Sequence, residues 1–210
     1  GVVVAGTPDG QLLLEDSVVR NTEVNGDGVF GRGAYVYDGA GAQVFRSIFE
    51  ANREVGVMVA KAGATLYAED SIMRENLPFK DGTMGRGLEV TTQGRASLSR
   101  CIMRGNHGVG ILLGETGTEL VIDESAVLDT RHMSDDAPGR GIMCQYGGQL
   151  ELSRSVVSGN RNVAISGIEN CAAKITASVV RDTLPDPDGH AGYGLQWIAG
   201  GEVEVIASLL

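Results

Sequence analysis

Aromatic residues make up only 5% of this 210-residue chain, proline occurs five times and cysteine three times. Little proline leaves backbone donors free for long ladders of hydrogen bonds. Three cysteines, an odd number, do not make a disulfide framework, and Cys101, Cys144 and Cys171 are expected as thiols, the first two as small buried hydrophobes. No apolar run reaches the length of a membrane span. Positive charge is also scarce. The net charge of -10 disfavours nucleic acid and anionic membranes, both of which call for a basic surface. What the chain has is glycine, 31 residues of it, with 42% apolar residues. That mixture suits many short strands joined by tight turns.

A repeat organises the whole length. A small residue recurs at Ser17, Ser47, Ser71, Cys101, Ser125, Ser155, Ser178 and Ser208, in steps that alternate between 30 and 24 residues, with a single step of 23. Five and three positions before it stand apolar pairs such as Leu12 and Leu14, Leu120 and Ile122, and Leu150 and Leu152. Polar residues such as Glu151 separate them, so apolar and polar residues alternate with the period of a half-buried strand. Two positions after it comes a second apolar series, from Val19 and Phe49 to Val180. A third strand opens each coil, as in Gly56-Val-Met-Val and Gly110-Ile-Leu-Leu. Such short strands close a sheet only by pairing like with like, one coil above the next at about 4.8 Å.

Five positions after the small residue stands a polar column: Thr22, Asn52, Asn76, Asn106, Thr130, Asn160 and Thr183. Stacked amides at coil spacing supply one another's hydrogen bonds, which predicts a buried ladder. One position after the small residue, Val18, Ile48, Ile72, Ile102, Ala126, Val156, Val179 and Leu209 are expected to face outward as an apolar strip.

The motif Ser-x-apolar-x-x-Asn followed by Gly-apolar-x-Val, as in Ser47–Asn52 with Gly56–Val59 and in Ser155–Asn160, resembles the repeats of the pectate-lyase-like superfamily. The resemblance covers essentially the whole chain. It implies an all-β fold: a right-handed, single-stranded parallel β-helix of about eight coils, three short strands per coil, short coils alternating with long ones. Residues 1–210 then form one solenoid domain. The chain opens in mid-coil at Gly1 and stops two residues past a repeat landmark, so a segment of a longer solenoid, with flanking coils or capping segments, is expected.

That superfamily contains polysaccharide lyases, glycoside hydrolases, phage tailspikes and many non-catalytic surface proteins, so the resemblance is specific for fold and almost silent on activity, and it transfers no catalytic residue. Polygalacturonase-like enzymes carry Asn-Thr-Asp, paired Asp, Gly-His-Gly and Arg-x-Lys motifs. Here Asn21-Thr22 precedes Glu23, Asp135-Asp136 stands alone, Gly189-His190 precedes Ala191, and Arg-x-Lys does not occur. The strand-face arginines Arg20, Arg74, Arg104 and Arg181 form a row with no carboxylate cluster expected beside it. His107, His132 and His190 lack metal-ligand spacing, so neither metal nor other cofactor is expected.

The length alternation comes from four ten-residue insertions on alternate coils: residues 23–32, 77–86, 131–140 and 184–193. They leave from the same corner and form a row on one edge, with neighbours about 10 Å apart. The fifth position of each is Asp (Asp27, Asp81, Asp135, Asp188), and the tenth is Arg32, Arg86, Arg140 and Tyr193. One reading is a turn, because Asp-Gly makes an Asx turn, with each Arg paired to its own loop's Asp. The other is an acidic row, with Arg and Tyr, that binds a cation or sugar hydroxyls. Asp135, Asp136, Asp186, Asp188, His132 and His190 form the densest acid–base cluster. Inverting glycosidases hold their carboxyls about 6.5–9.5 Å apart, close to the expected loop spacing. The leading expectation is a non-catalytic extracytoplasmic scaffold that binds polysaccharide or a surface protein through this row. Ligand contacts are placed at Asp27, Asp81, Asp135, Asp188, Arg86, Arg140, His132, His190 and Tyr193. The alternative is a β-helix polysaccharide lyase or glycoside hydrolase.

Overall fold

The structure, a computed structural model, describes residues 1–5, 10–132 and 139–210. It is a parallel β-helix. One eight-stranded sheet (sheet A) stacks Val2–Ala5, Arg32–Tyr37, Val55–Ala60, Arg86–Thr91, Val109–Gly114, Arg140–Gln145, Val163–Ile168 and Tyr193–Ile198. A second (sheet B) stacks Gln11–Glu15, Gly41–Phe45, Thr65–Glu69, Arg95–Ser99, Glu119–Asp123, Gln149–Ser153, Cys171–Thr176 and Gly201–Ile206. Sheet C holds the seven three-residue strands that follow the small residue, from Val18–Arg20 to Val179–Arg181. Every strand pair within these sheets is parallel and joins equivalent coil positions, as Leu98 joins Ala68 and Ile122. No helix long and apolar enough to cross a membrane is present among the described residues.

The alternating positions pack as their phase requires. Phe49, Met73, Leu88, Leu98, Ile111, Ile122 and Leu152 are fully buried in one continuous core. The residues one step after the small position are half-buried or exposed, from Ile48 to Val18 and Leu209, so the outward strip has the expected phase.

Two side-chain ladders turn the corners. Asn76 Oδ1 accepts from the Asn52 backbone N–H and amide, and the Asn76 amide donates to Asn106 Oδ1 at 2.8 Å. Thr130 interrupts this run, and Asn160 then accepts from the Thr130 N–H. The small residue carries a ladder of its own. Ser47, Ser71, Ser125, Ser155, Ser178 and Ser208 each accept, at Oγ, the backbone N–H of the equivalent residue one coil earlier. Each of their hydroxyls donates to the carbonyl two residues back. Smallness alone is therefore not what the position selects.

The residue just before each small position has φ between 46 and 51°, and the residues involved are Asp16, Arg46, Asp70, Arg100, Glu124, Arg154, Ala177 and Ala207. Such corners cost non-glycine residues energy, and the coils stack them in a column. Along the first six the charges alternate. Arg46 pairs with Asp16 and Glu15, Arg100 with Asp70 and Glu69, and Arg154 with Glu124 and Asp123. The true unit is thus a double coil, a long step and a short one, clamped by one arginine across two acids.

Two expectations are corrected. Cys144 and Cys171 form a disulfide inside the core, Cα to Cα 6.0 Å, tying sheet A of one coil to sheet B of the next; only Cys101 is a free buried thiol. Burial pushes the Cys101 thiol up to about 11. The arginine row on sheet C does have carboxylates beside it. Glu50 contacts Arg20 and Arg74, and Arg104 reaches Asp129 at 3.1 Å. Both acids were hidden from a linear reading by separations of 24 to 30 residues.

Candidate functional site: the loop row and the outer face of sheet A

The second, third and fourth long loops are each held at both ends by the short coil before them. At the start, Arg53 bridges Leu77, His107 bridges Arg131, and Arg161 bridges Leu184. At the end, the Glu54 carbonyl accepts from Gly85 and Arg86 N–H, the Gly108 carbonyl from Arg140, and the Asn162 carbonyl from Gly192 and Tyr193. The three fully described loops share one turn. The third residue's N–H donates to the seventh residue's carbonyl in Asn25–Val29, Phe79–Thr83 and Asp186–His190. The sixth residue is Gly28, Gly82 or Gly189, with φ of 80 to 83°, where any side chain would be strained.

The fifth-position Asp does not play one role. Asp81 makes the expected Asx contact, accepting the Thr83 N–H and hydroxyl at 2.9 and 2.7 Å, and these two bonds hold its carboxyl below the usual range. In the first loop Asn25 accepts the N–H groups of Asp27 and Val29 instead. In the fourth, Asp186 accepts from His190. Asp27 and Asp188 are exposed, and neither they nor Asp81 joins an ion pair among the described residues. Loops 23–32 and 77–86 enclose a cleft lined by Asn25, Asp27, Val29, Phe79, Lys80 and Asp81. Asp135 and Asp136 lie outside the described residues. His132 is half-buried, whereas His190 and Tyr193 are exposed.

Of the tenth-position arginines, Arg32 and Arg86 do not pair with their own loops' Asp, and Asp135, in the loop of Arg140, lies outside the described residues. Each arginine lies over the outward sheet A residue three positions on. Arg32 sits 4.3 Å from the Tyr35 ring, Arg86 pairs with Glu89, and Arg140 contacts the Met143 sulfur. Tyr35, Glu89 and Met143 occupy one column of the sheet register. Arg32 also donates to Glu54 at 2.9 Å, so its charge is matched from the neighbouring coil. Burial lowers Arg140 from the ordinary guanidinium range. The row therefore fastens the loops onto the sheet.

The outer face of sheet A also carries residues that the loop pattern did not single out. Tyr35 and Tyr37 stack at 4.5 Å beside Phe30 and Arg32. Their alternation with buried Ala34 and Val36 is the signal that places them outside.

No family model matches the chain, and no curated protein matches it significantly. Solved structures that share the fold include the following two. One is the pectate lyase Pel9A, 18% identical with a TM-score of 0.53, over 84% of this chain and 51% of that one. The other is a variant of the periplasmic alginate epimerase AlgG, 11% identical with a TM-score of 0.55, over 98% of this chain and 64% of that one. The chain thus spans between half and two thirds of either protein's length.

Proposed function

We propose that this chain is a non-catalytic, extracytoplasmic β-solenoid scaffold that binds a carbohydrate chain along the loop row. The observation that carries this reading is the cleft between loops 23–32 and 77–86. It sets two carboxylates that lie outside any described ion pair, Asp27 and Asp81, beside the apolar groups Val29 and Phe79. Hydrogen-bond acceptors next to apolar surface suit sugars, which present hydroxyls and C–H faces together. A rigid solenoid is a scaffold on which loops can do recognition. Two proteins of this fold that act on pectate and alginate lend weight to a polysaccharide ligand. The interior disulfide favours an oxidising compartment, at the cell surface or beyond.

A glycan array followed by calorimetry tests the binding. Reducing-sugar and unsaturated-product assays on each bound polymer test the enzymatic alternative. Replacing Asp27, Asp81, Asp135 and Asp188 by Asn leaves the turns able to form and should weaken binding. An unchanged affinity removes the loop row from the site.

A further inference from the structure

Phe30, Arg32, Tyr35 and Tyr37 form one column along the outer face of sheet A. The Arg32 guanidinium lies between two rings, 5.1 Å from Phe30 and 4.3 Å from Tyr35. Tyr35 stacks on Tyr37 with an interplanar angle of 14°, and Lys61 lies 5.6 Å from the Tyr37 ring. Glu54, 4% exposed, fixes Arg32 from the next coil through Nε. A stack built this way is rigid before any ligand arrives, which limits the entropy lost on binding.

Beside the column is a cavity lined by Val3, Thr22, Phe30, Arg32, Tyr35 and Tyr37. Its polar groups have capacity to spare. Arg32 uses only Nε among its hydrogen bonds to described residues, leaving the terminal N–H groups. Phe30 is 59% exposed and keeps φ at 67°, in a corner filled by Met84 and Ala191 in the second and fourth loops. The corner is common to the three loops, so it is the exposed ring standing on it that points to contact with a ligand.

We infer that this cavity is a subsite for one ring of a neutral oligosaccharide. An apolar edge of rings with a few fixed donors is what a sugar's C–H face and hydroxyls require. Neutral rather than uronate sugars fit, because the Arg32 charge is already matched by Glu54, the Lys61 ammonium lies against the Tyr37 ring, and the chain carries a net charge of -10. The inference rests on the carbohydrate reading above, but it uses different residues from the loop cleft.

The test is calorimetric titration of the chain with xylohexaose, cellohexaose, mannohexaose and hexagalacturonate, with tyrosine fluorescence as a second readout. At least one neutral hexamer should bind and hexagalacturonate should bind at least fivefold more weakly. Tyr35→Ala should weaken neutral binding tenfold or more. Tyr35→Phe with Tyr37→Phe keeps the stack, so it guards against a folding defect, and should weaken binding about fivefold by removing both hydroxyls. No saturable binding of any neutral hexamer, a preference for hexagalacturonate, or neutral binding untouched in both tyrosine variants would each overturn the inference. If binding survives these variants but falls with Asp27→Asn and Asp81→Asn, the loop reading stands and this subsite fails. The reverse pattern keeps the subsite and removes the loop cleft.

Discussion

Replacing Asn76 by Leu examines the ladder that turns the coil corners. Asn76 is fully buried, and its side chain makes three hydrogen bonds: two accepted from Asn52 and one given to Asn106. Leucine fills similar space but strands the Asn52 backbone N–H and one amide hydrogen of Asn52. The other Asn52 donor keeps the Val19 carbonyl, and Asn106 Oδ1 keeps the Asn76 N–H. Two stranded buried donors at roughly 1–3 kcal/mol each, less the apolar gain of leucine, give about 2–4 kcal/mol of destabilisation. For a chain of this length that is a fall in Tm of roughly 5–15 °C. Asn160→Leu should cost less, because only the Thr130 N–H and the Val127 carbonyl lose a partner. Asn76→Asp should be worse than Leu at neutral pH, with a carboxylate facing Asn106 Oδ1, and should recover on acidification as the protonated acid regains a donor. Urea and thermal unfolding followed by far-ultraviolet circular dichroism measure all three. An Asn76→Leu chain within about 0.5 kcal/mol of the parent would refute the buried ladder.

The remaining expectations are simpler. Cys101 is the one break in the serine ladder, so Cys101→Ser should give the Ser71 N–H a stronger acceptor than sulfur and stabilise by about 0.5–1.5 kcal/mol; a lower unfolding midpoint would contradict this. Cys144→Ala with Cys171→Ala should cost about 3.5 kcal/mol, the value for a closed loop of this size, and a reducing agent should then leave the melting curve unchanged. Arg46 and Arg100 hold the carboxyls of Asp16 and Asp70 below their ordinary value. A depressed folded pKa adds stability that is complete above the ordinary carboxylate range and is lost as pH falls below it. Arg100→Gln should therefore shrink the stability difference between pH 6 and pH 3, and an unaltered acid profile would show that the clamp contributes nothing.

The fold was legible because its signals repeat. Eight small residues, the strand phase around them and the Asn column each recur with the coil, and each recurrence corroborates the others. What the repeat did not show depends on which coil lies beside which face. Cys144 and Cys171 meet only once the end of one sheet A strand is known to sit beside the start of the next coil's sheet B strand. Glu50 and Asp129 reach the arginine row only through the stacking of sheet C. The left-handed corners escaped notice because Asp, Arg, Glu and Ala fill them, not glycine, and the column is held by inter-coil pairing. In the loops the constant Asp drew attention, yet the side chain that caps the turn stands at the third position in two of them, Asn25 and Asp186. Tyr35 and Tyr37 were readable from strand phase, but their stacking with Arg32 depends on a loop backbone that sequence does not fix.

Calorimetric titration with the polysaccharide selected by glycan array, run in parallel on the parent and on the variant with Asp27, Asp81, Asp135 and Asp188 all changed to Asn, tests the proposed function most directly. The account predicts saturable binding to the parent, no product in the reducing-sugar and unsaturated-product assays, and an affinity at least tenfold weaker in the variant with an unchanged melting curve. Turnover of the bound polymer, or equal affinity in the two chains, would contradict it.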